Sequence, residues 1–203
     1  MKKIAIILAS AALAFTACCS NDVKEADAAD PSEAVLANIF ARKSVRTYTD
    51  QTVPDEMVET LLRAAMAAPT AMNSQPWSFV VLNSRETLDA LAESLPYAKM
   101  LTQAPLAIVV CGQEKLEGGM SNIFWQQDCA AATENLLLAA EALGLGAVWT
   151  GAYPGLERAN AISETLGIPE GIEPMCVVVI GYPAGNDQPK DKWKPEKIHY
   201  GRW

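Results

Sequence analysis

Two short segments of this chain hold the residue types best able to do chemistry. Arg42-Lys43-Ser44-Val45-Arg46 sets two guanidinium groups around a hydroxyl, and Pro69-Thr70-Ala71-Met72-Asn73-Ser74-Gln75-Pro76-Trp77 concentrates amides and hydroxyls between two prolines. In an extended segment alternate side chains point the same way, so Arg42, Ser44 and Arg46 share one face. That face suits a phosphate. Arginine gives bidentate, charge-assisted bonds to phosphate oxygens, and the hydroxyl adds a donor without adding charge. A solvated basic stretch after a helix is the competing explanation, because basic clusters are common. On stereochemistry alone ATP, other nucleotides and sugar phosphates all stay open.

The remaining composition excludes more than it suggests. The chain carries 16 basic and 24 acidic residues, net charge -8, and loses two more positive charges if Lys2 and Lys3 depart with a leader. Such a surface repels phosphate backbones, so no nucleic-acid partner is expected and the basic residues must matter locally. His199 is the sole histidine, which rules out a histidine-based metal site and leaves no Ser-His-Asp arrangement unless His199 leaves the terminal segment. It reads as structural rather than chemical. Cys111, Cys129 and Cys176 are widely spaced, odd in number and without a Cys-x-x-Cys spacing, so buried free thiols are expected and no metal. No Gly-x-Gly-x-x-Gly follows a strand, so a dedicated nicotinamide domain is not indicated.

The chain starts Met1-Lys2-Lys3, runs apolar from Ile4 to Phe15, and reaches Thr16-Ala17-Cys18-Cys19. A charged start, a short apolar run and small residues describe a secretory signal over residues 1–17, too short to span a bilayer. Cysteine directly after Phe15-Thr16-Ala17 resembles the lipobox of bacterial lipoproteins, which implies lipidation at Cys18, with Cys19 as a competing site and an ordinary cleaved signal as the alternative. Phe15 departs from the usual leucine of that box. Residues 18–29 then form the lipidated cysteine and a small, polar, acidic tether that cannot bury a core. The expected location is a bacterial envelope, on the periplasmic or outer-membrane face, with membrane contact through the lipid. Residues 30–203, about 170, suit a single domain.

The pattern of that domain alternates helices and strands. Asp30 caps a first helix with Pro31 at its first position and Glu33 where a capping box puts its acid, and Val35, Leu36, Ile39 and Phe40 share a face. A second helix opens at Pro54-Asp55-Glu56, turns Val58, Leu61, Leu62 and Ala65 inward and stops before Pro69. Trp77–Leu82 reads as a strand, followed by a helix capped by Ser84 and a covered strand over 105–111. Gly118-Gly119 marks a turn. A helix from Ser121 to Leu143 is apolar around most of its middle, so it is either central or a subunit interface. A short strand over 147–150, a helix over 155–166 closed by Gly167, and a strand over 175–180 complete the core. This order predicts an α/β sandwich with both sheet faces covered, though periodicity gives no strand direction. The aromatic end, Ile198 to Trp203, is expected to be docked, because Tyr and Trp bury much area.

Together, the Arg42–Arg46 run, the Pro69–Trp77 segment, the stretch Asp128-Cys129-Ala130-Ala131-Ala132-Thr133-Glu134-Asn135-Leu136, the Gly144–Gly151 turn and His199–Trp203 resemble the nitroreductase family of FMN-dependent oxidoreductases. The likeness runs from about Asp30 to Trp203 in the family's order. It implies an α+β fold, a three-layer α/β sandwich around a largely antiparallel sheet, and a homodimer with exchanged terminal segments and shared FMN pockets. It implies Arg42, Ser44 and Arg46 on the FMN phosphate, with Lys43 in the same run and Lys194 and Arg202 closing from the tail. Asn73 would bond the polar edge of the flavin ring with Thr70 and Gln75 nearby, and Thr150 and Gly151 would offer backbone N–H groups. The bland readings are a self-capping turn for Asn73 and a plain strand-end turn for Thr150-Gly151. Phe124 and Trp125 either line a channel over the flavin or belong to the core.

The implied activity is ping-pong reduction of nitroaromatic, quinone or similar small acceptors by NADH, NADPH or another reduced donor, with no catalytic side chain. Two other classes stay in view: a non-enzymatic flavin-binding lipoprotein, and a flavin-dependent dehalogenase-like enzyme. An exported protein would not ordinarily meet NADH or NADPH, which sets the location against the donor.

Overall fold

The computed structural model describes residues 30–116 and 118–203; the leader, the tether and Cys18 lie outside the described residues. Helix α1 (Pro31–Ala41) begins where expected, but the Asp30 carboxylate accepts from Ser32 N–H at 2.9 Å, one residue earlier than a capping box would place it. Helix α2 (Asp55–Met66) buries Leu61 and Ala65 and ends ahead of Pro69. Strand β1 (Trp77–Leu82) leads through the cap Ser84 into α3 (Arg85–Ser94), which buries Leu88 and Leu91. Strand β2 (Leu106–Gln113) is buried along nearly its whole length.

Helix α4 (Trp125–Ala142) starts four residues later than the apolar pattern predicts. Ser121 pairs with Lys115 across the Gly118-Gly119 turn, and Asn122 Oδ1 takes the Phe124 N–H at 3.2 Å, so the chain is still turning at those positions. Strand β3 (Gly146–Gly151) is followed by α5 (Leu156–Leu166), closed by Gly167 at φ 65°, and by β4 (Ile172–Gly181). Strand β4 begins three residues earlier than expected. Its Pro174, which has no N–H to give, falls where the β2–β4 register shifts, the tolerated place for a strand proline.

The sheet has the order β1-β2-β4-β3, and every strand pair is antiparallel. Alternation along the central strands builds two cores. Ile108, Val110, Val178 and Ile180 face α2 and α4, while Ala107, Val109, Val177 and Val179 face α3 and α5. The result is a three-layer α+β sandwich. Cys111, Cys129 and Cys176 are free and buried, and burial pushes each thiol up to about 12. Tyr48 anchors the segment after α1, its hydroxyl lying 2.6 Å from Val45 O and 3.0 Å from Val179 O, and burial raises its pKa.

Two expectations about packing are corrected. The apolar face of α1 is open in this chain: Val35, Leu36, Ile39 and Phe40 are exposed, Phe40 at 72%. The terminal segment is also not docked on its own domain. Residues 183–203 run as an exposed arm that passes Phe40 and Arg42 near Trp193 and ends with Trp203 wholly exposed. The reason is the same for both: among the described residues no helix or strand packs over them, so apolar area that periodicity marks for burial stays open.

Gly112 shows how tightly α4 meets the sheet. A Cβ there would sit 2.5 Å from Trp125 Cε3 and 2.8 Å from Cys129 Sγ. Trp125 is fully buried and holds Tyr153 in an edge contact at 4.9 Å, so it has no room to give. Gly112→Ala is expected to cost about 1–3 kcal/mol, read as a lower urea midpoint with an unchanged slope.

Candidate functional site

The first segment leaves α1 extended and lies alongside β3. Val45 N–H donates to Ala147 O at 3.0 Å, and Ser44 and Ala147 form a parallel bridge. Val45 points into the core while Ser44 and Arg46 are exposed, which is the alternation expected of the run. Gly146 makes the approach feasible, since a Cβ there would overlap the Val45 side chain at 2.6 Å. Arg42 reaches α4, where Glu134 Oε1 meets its Nε at 3.2 Å, and no ion pair to its Nη atoms is found among the described residues. Arg46 has no ion pair among the described residues.

Lys43, like Arg42, meets an acid of α4, but it is held more fully: its Nζ lies 2.9 and 3.2 Å from the two carboxylate oxygens of Glu141. Its charge is already neutralised. The basic pair available for an anion is therefore Arg42 and Arg46, with the Ser44 hydroxyl between them.

At the other end of β3, Thr150 and Gly151 divide their roles. Ala147 O points out to Val45, and Ala152 N–H points in to Met175 O at 2.9 Å. By alternation Gly151 turns its N–H away from the sheet, whereas Thr150 turns its own toward β4. The Thr150 hydroxyl is also committed, to Val177 O at 2.8 Å. A Cβ at Gly151 would meet nothing within 4 Å, so open space lies beside this backbone. From Ala147 to Gly151 is four residues of strand, about 13 Å at ~3.3 Å each.

The second segment sits at the same end of the sheet but by the opposite edge. Gly151, Cys176, Val110 and Phe79 lie in one row across the four strands, so β1 is about 14 Å from β3 at ~4.8 Å per strand. The loop is a compact turn over Ala71–Asn73 in which Met72, Asn73 and Gln75 all take positive φ, 54°, 54° and 46°. Gln75 N–H donates to Thr70 Oγ1 at 3.2 Å, and Gln75 Nε2 donates to Asn73 Oδ1 at 3.0 Å. The Asn73 NH2 thus faces outward as a donor. The Asn73 side chain thus bonds another side chain of its loop rather than capping the backbone, and it keeps that donor. A hollow of about 320 Å³ opens beside Thr70, between Phe124, Gln127 and Ala131. Trp125 is core; Phe124 is exposed at its rim.

Two residues with no role at the site assigned to them from the sequence hold this loop. Asp128 Oδ1 accepts from Ala71 N–H at 3.0 Å, Ser74 Oγ lies 3.5 Å from Asp128 Oδ2, and Asn122 Nδ2 lies 3.5 Å from Ser74 Oγ. Both Asp128 and Asn122 are buried polar residues. A polar residue early in a largely apolar helix was the available signal.

In one chain the sequence-predicted residues therefore occupy three places. Arg42, Ser44, Arg46 and Gly151 line the β3 edge; Thr70, Asn73 and Gln75 sit on the loop against the start of α4; Lys194 and Arg202 belong to the exposed arm. Asp128 and Glu134 are six residues apart on α4, about 240° around the helix, so the loop and Arg42 use different faces of it. Among the described residues no group of His, Cys, Asp and Glu is placed to hold a metal, and no helix is long and apolar enough to cross a membrane.

Comparison with known proteins gives the family and the fold. Residues 39–182 match the nitroreductase family. The chain is 45% identical over 174 residues to an Archaeoglobus fulgidus protein named NADH dehydrogenase/NAD(P)H nitroreductase, covering 84% of this chain and 99% of the relative. A crystal structure from Bacteroides thetaiotaomicron with the same name superposes with a TM-score of 0.79 at 49% identity, covering 84% of this chain and 98% of that one. A nitroreductase from Desulfovibrio desulfuricans, solved in complex with FMN, gives a TM-score of 0.71 at 31% identity over 86% of this chain and 98% of its own.

Proposed function

Because this chain belongs to the nitroreductase family, we propose that it is an FMN-dependent oxidoreductase that uses NADH or NADPH to reduce small acceptors, nitroaromatics and quinones among them. The observation that carries this reading is the β3 edge. Two arginines and a hydroxyl stand at one end of it, and about 13 Å away an outward N–H stands beside open space at Gly151. That spacing suits a molecule with a phosphate at one end, an extended polyol chain, and a ring system at the other, so the residues present fit FMN.

When bound, FMN supplies the redox chemistry, taking reducing equivalents from the nicotinamide and giving them to the acceptor. The chain supplies position and charge. Arg42 and Arg46 grip the phosphate with Ser44 between them, and Glu134 holds Arg42 by its Nε so that its fork stays aimed. Gly151 N–H and the Asn73 NH2 are donors for the polar rim of the ring, where they favour negative charge in the reduced form. No side-chain nucleophile is required.

The division of these groups between two sheet edges and an arm leads us to place the working site in a homodimer. A second copy covers the open face of α1, brings its own Asn73 loop toward the β3 edge of the first, and receives the arm with Lys194 and Arg202. The test is direct: purify the protein, look for flavin absorbance, bleach it anaerobically with NADH or NADPH, and follow its return with a nitroaromatic or a quinone. A protein that stays colourless with added FMN would sink the reading.

For the first 29 residues we propose an exported, lipid-anchored form, from the charged start, the short apolar run and the Thr16-Ala17-Cys18 site. Palmitate labelling in growing cells is expected to tag the protein, and Cys18→Ala to abolish the tag. Labelling that survives Cys18→Ala moves the anchor to Cys19. An exported enzyme then needs nicotinamide or another reduced carrier on its side of the membrane.

A further inference from the structure

We propose that Asp128 is the positioning residue of the flavin site: its buried carboxylate holds the Pro69–Trp77 loop in a left-handed turn that aims Asn73. The proposal rests on the FMN reading above and adds a residue outside the loop, on a different element, on which that site depends.

The loop backbone is strained. Met72, Asn73 and Gln75 all take φ near +50°, a region that L residues other than glycine seldom occupy. Such strain persists only where the surroundings over-determine the backbone. Within the loop, Gln75 bonds Thr70 and Asn73, but these links move with the loop and cannot fix it to the body. The links to α4 run through Asp128, which takes the Ala71 N–H at 3.0 Å and faces the Ser74 hydroxyl at 3.5 Å, with Asn122 touching the same hydroxyl.

The choice of an acid at this position is itself informative. Asp128 is only 5% exposed, and among the described residues no Lys, Arg or His stands within ion-pair distance of it. A buried carboxylate without a cation is costly unless donors meet it. Here the donors are the loop's own, and the start of α4 adds the positive end of a helix. The acid and the turn are thus matched: the loop stabilises the charge, and the charge stabilises the loop. A residue there for packing alone would be cheaper as an apolar one.

Three variants of the full chain test this from both partners of the bond. Asp128→Ala removes the acceptor. Ala71→Pro removes the donor at the first position of the turn, where proline is tolerated and where Thr70 is already extended, as a residue before proline requires. Each is expected to weaken FMN binding about 10- to 100-fold, the loss typical of a charge-assisted hydrogen bond, and to shift the visible band of bound flavin. The double variant should be no worse than either single one. Asp128→Asn, which keeps an acceptor for Ala71 at the same size, should bind within a few-fold of the native protein.

Native FMN affinity and an unshifted flavin band in whichever of Asp128→Ala and Ala71→Pro folds would overturn the proposal, as would an Asp128→Asn protein as impaired as Asp128→Ala. A native protein that binds no FMN fails the underlying reading instead. The two failures are therefore distinguishable.

Discussion

Ending the chain after Gly185 is expected to give a folded, colourless monomer. Residues 186–203 contribute nothing to either core, and the arm that they form is exposed throughout, with Trp193 at 71% and Trp203 fully open. Their removal should leave the circular dichroism spectrum and the unfolding midpoint close to those of the whole protein. What it removes is the arm's aromatic surface and its cations, Lys194 and Arg202 included. If the arm closes on a second copy and its phosphate site, FMN affinity should fall by more than about 100-fold, because two charge-assisted contacts are lost along with the apolar ones. Sedimentation and flavin fluorescence quenching read the two losses separately. A truncated protein that remains a yellow dimer would return the arm to the status of a surface extension.

The second large effect concerns Arg46. Its side chain is exposed and has no ion pair among the described residues, so Arg46→Ala should leave stability within about 0.5 kcal/mol of native. FMN binding should nonetheless weaken about 10- to 100-fold, with the native affinity falling as salt rises and the variant's falling less. Lys43→Ala supplies the contrast. Lys43 is already held by Glu141, so its loss should lower stability slightly and leave FMN affinity nearly unchanged. Equal effects from the two substitutions would mean that the run acts only as a diffuse positive field.

The contrast between Arg46 and Lys43 was only half legible in the sequence. The Arg42–Arg46 run could be read as a phosphate grip because an extended backbone has a period of two, a local property that needs no partner. The separation of Lys43 from that grip could not be read, since Glu141 lies 98 residues further along the chain. Thr150 is similar: its spacing beside Gly151 looked equivalent, yet the pairing of β3 with β4 commits one N–H inward and leaves the other free.

The fold divides along the same line. Caps, prolines and apolar periods in the sequence determined where α1, α2, α3 and α5 begin and end to within a residue or two, because those signals act over one turn of chain. Strand direction, the delayed start of α4 and the shift at Pro174 depended on which strands meet and in what register. The tertiary structure alone decided that the apolar face of α1 and the aromatic arm stand open, and that Asp128 grips a strained loop. Exposure and hydrogen-bond partnership belong to pairs of segments distant in sequence, so a residue's type can announce a need for a partner without saying which one meets it, or whether the same chain can.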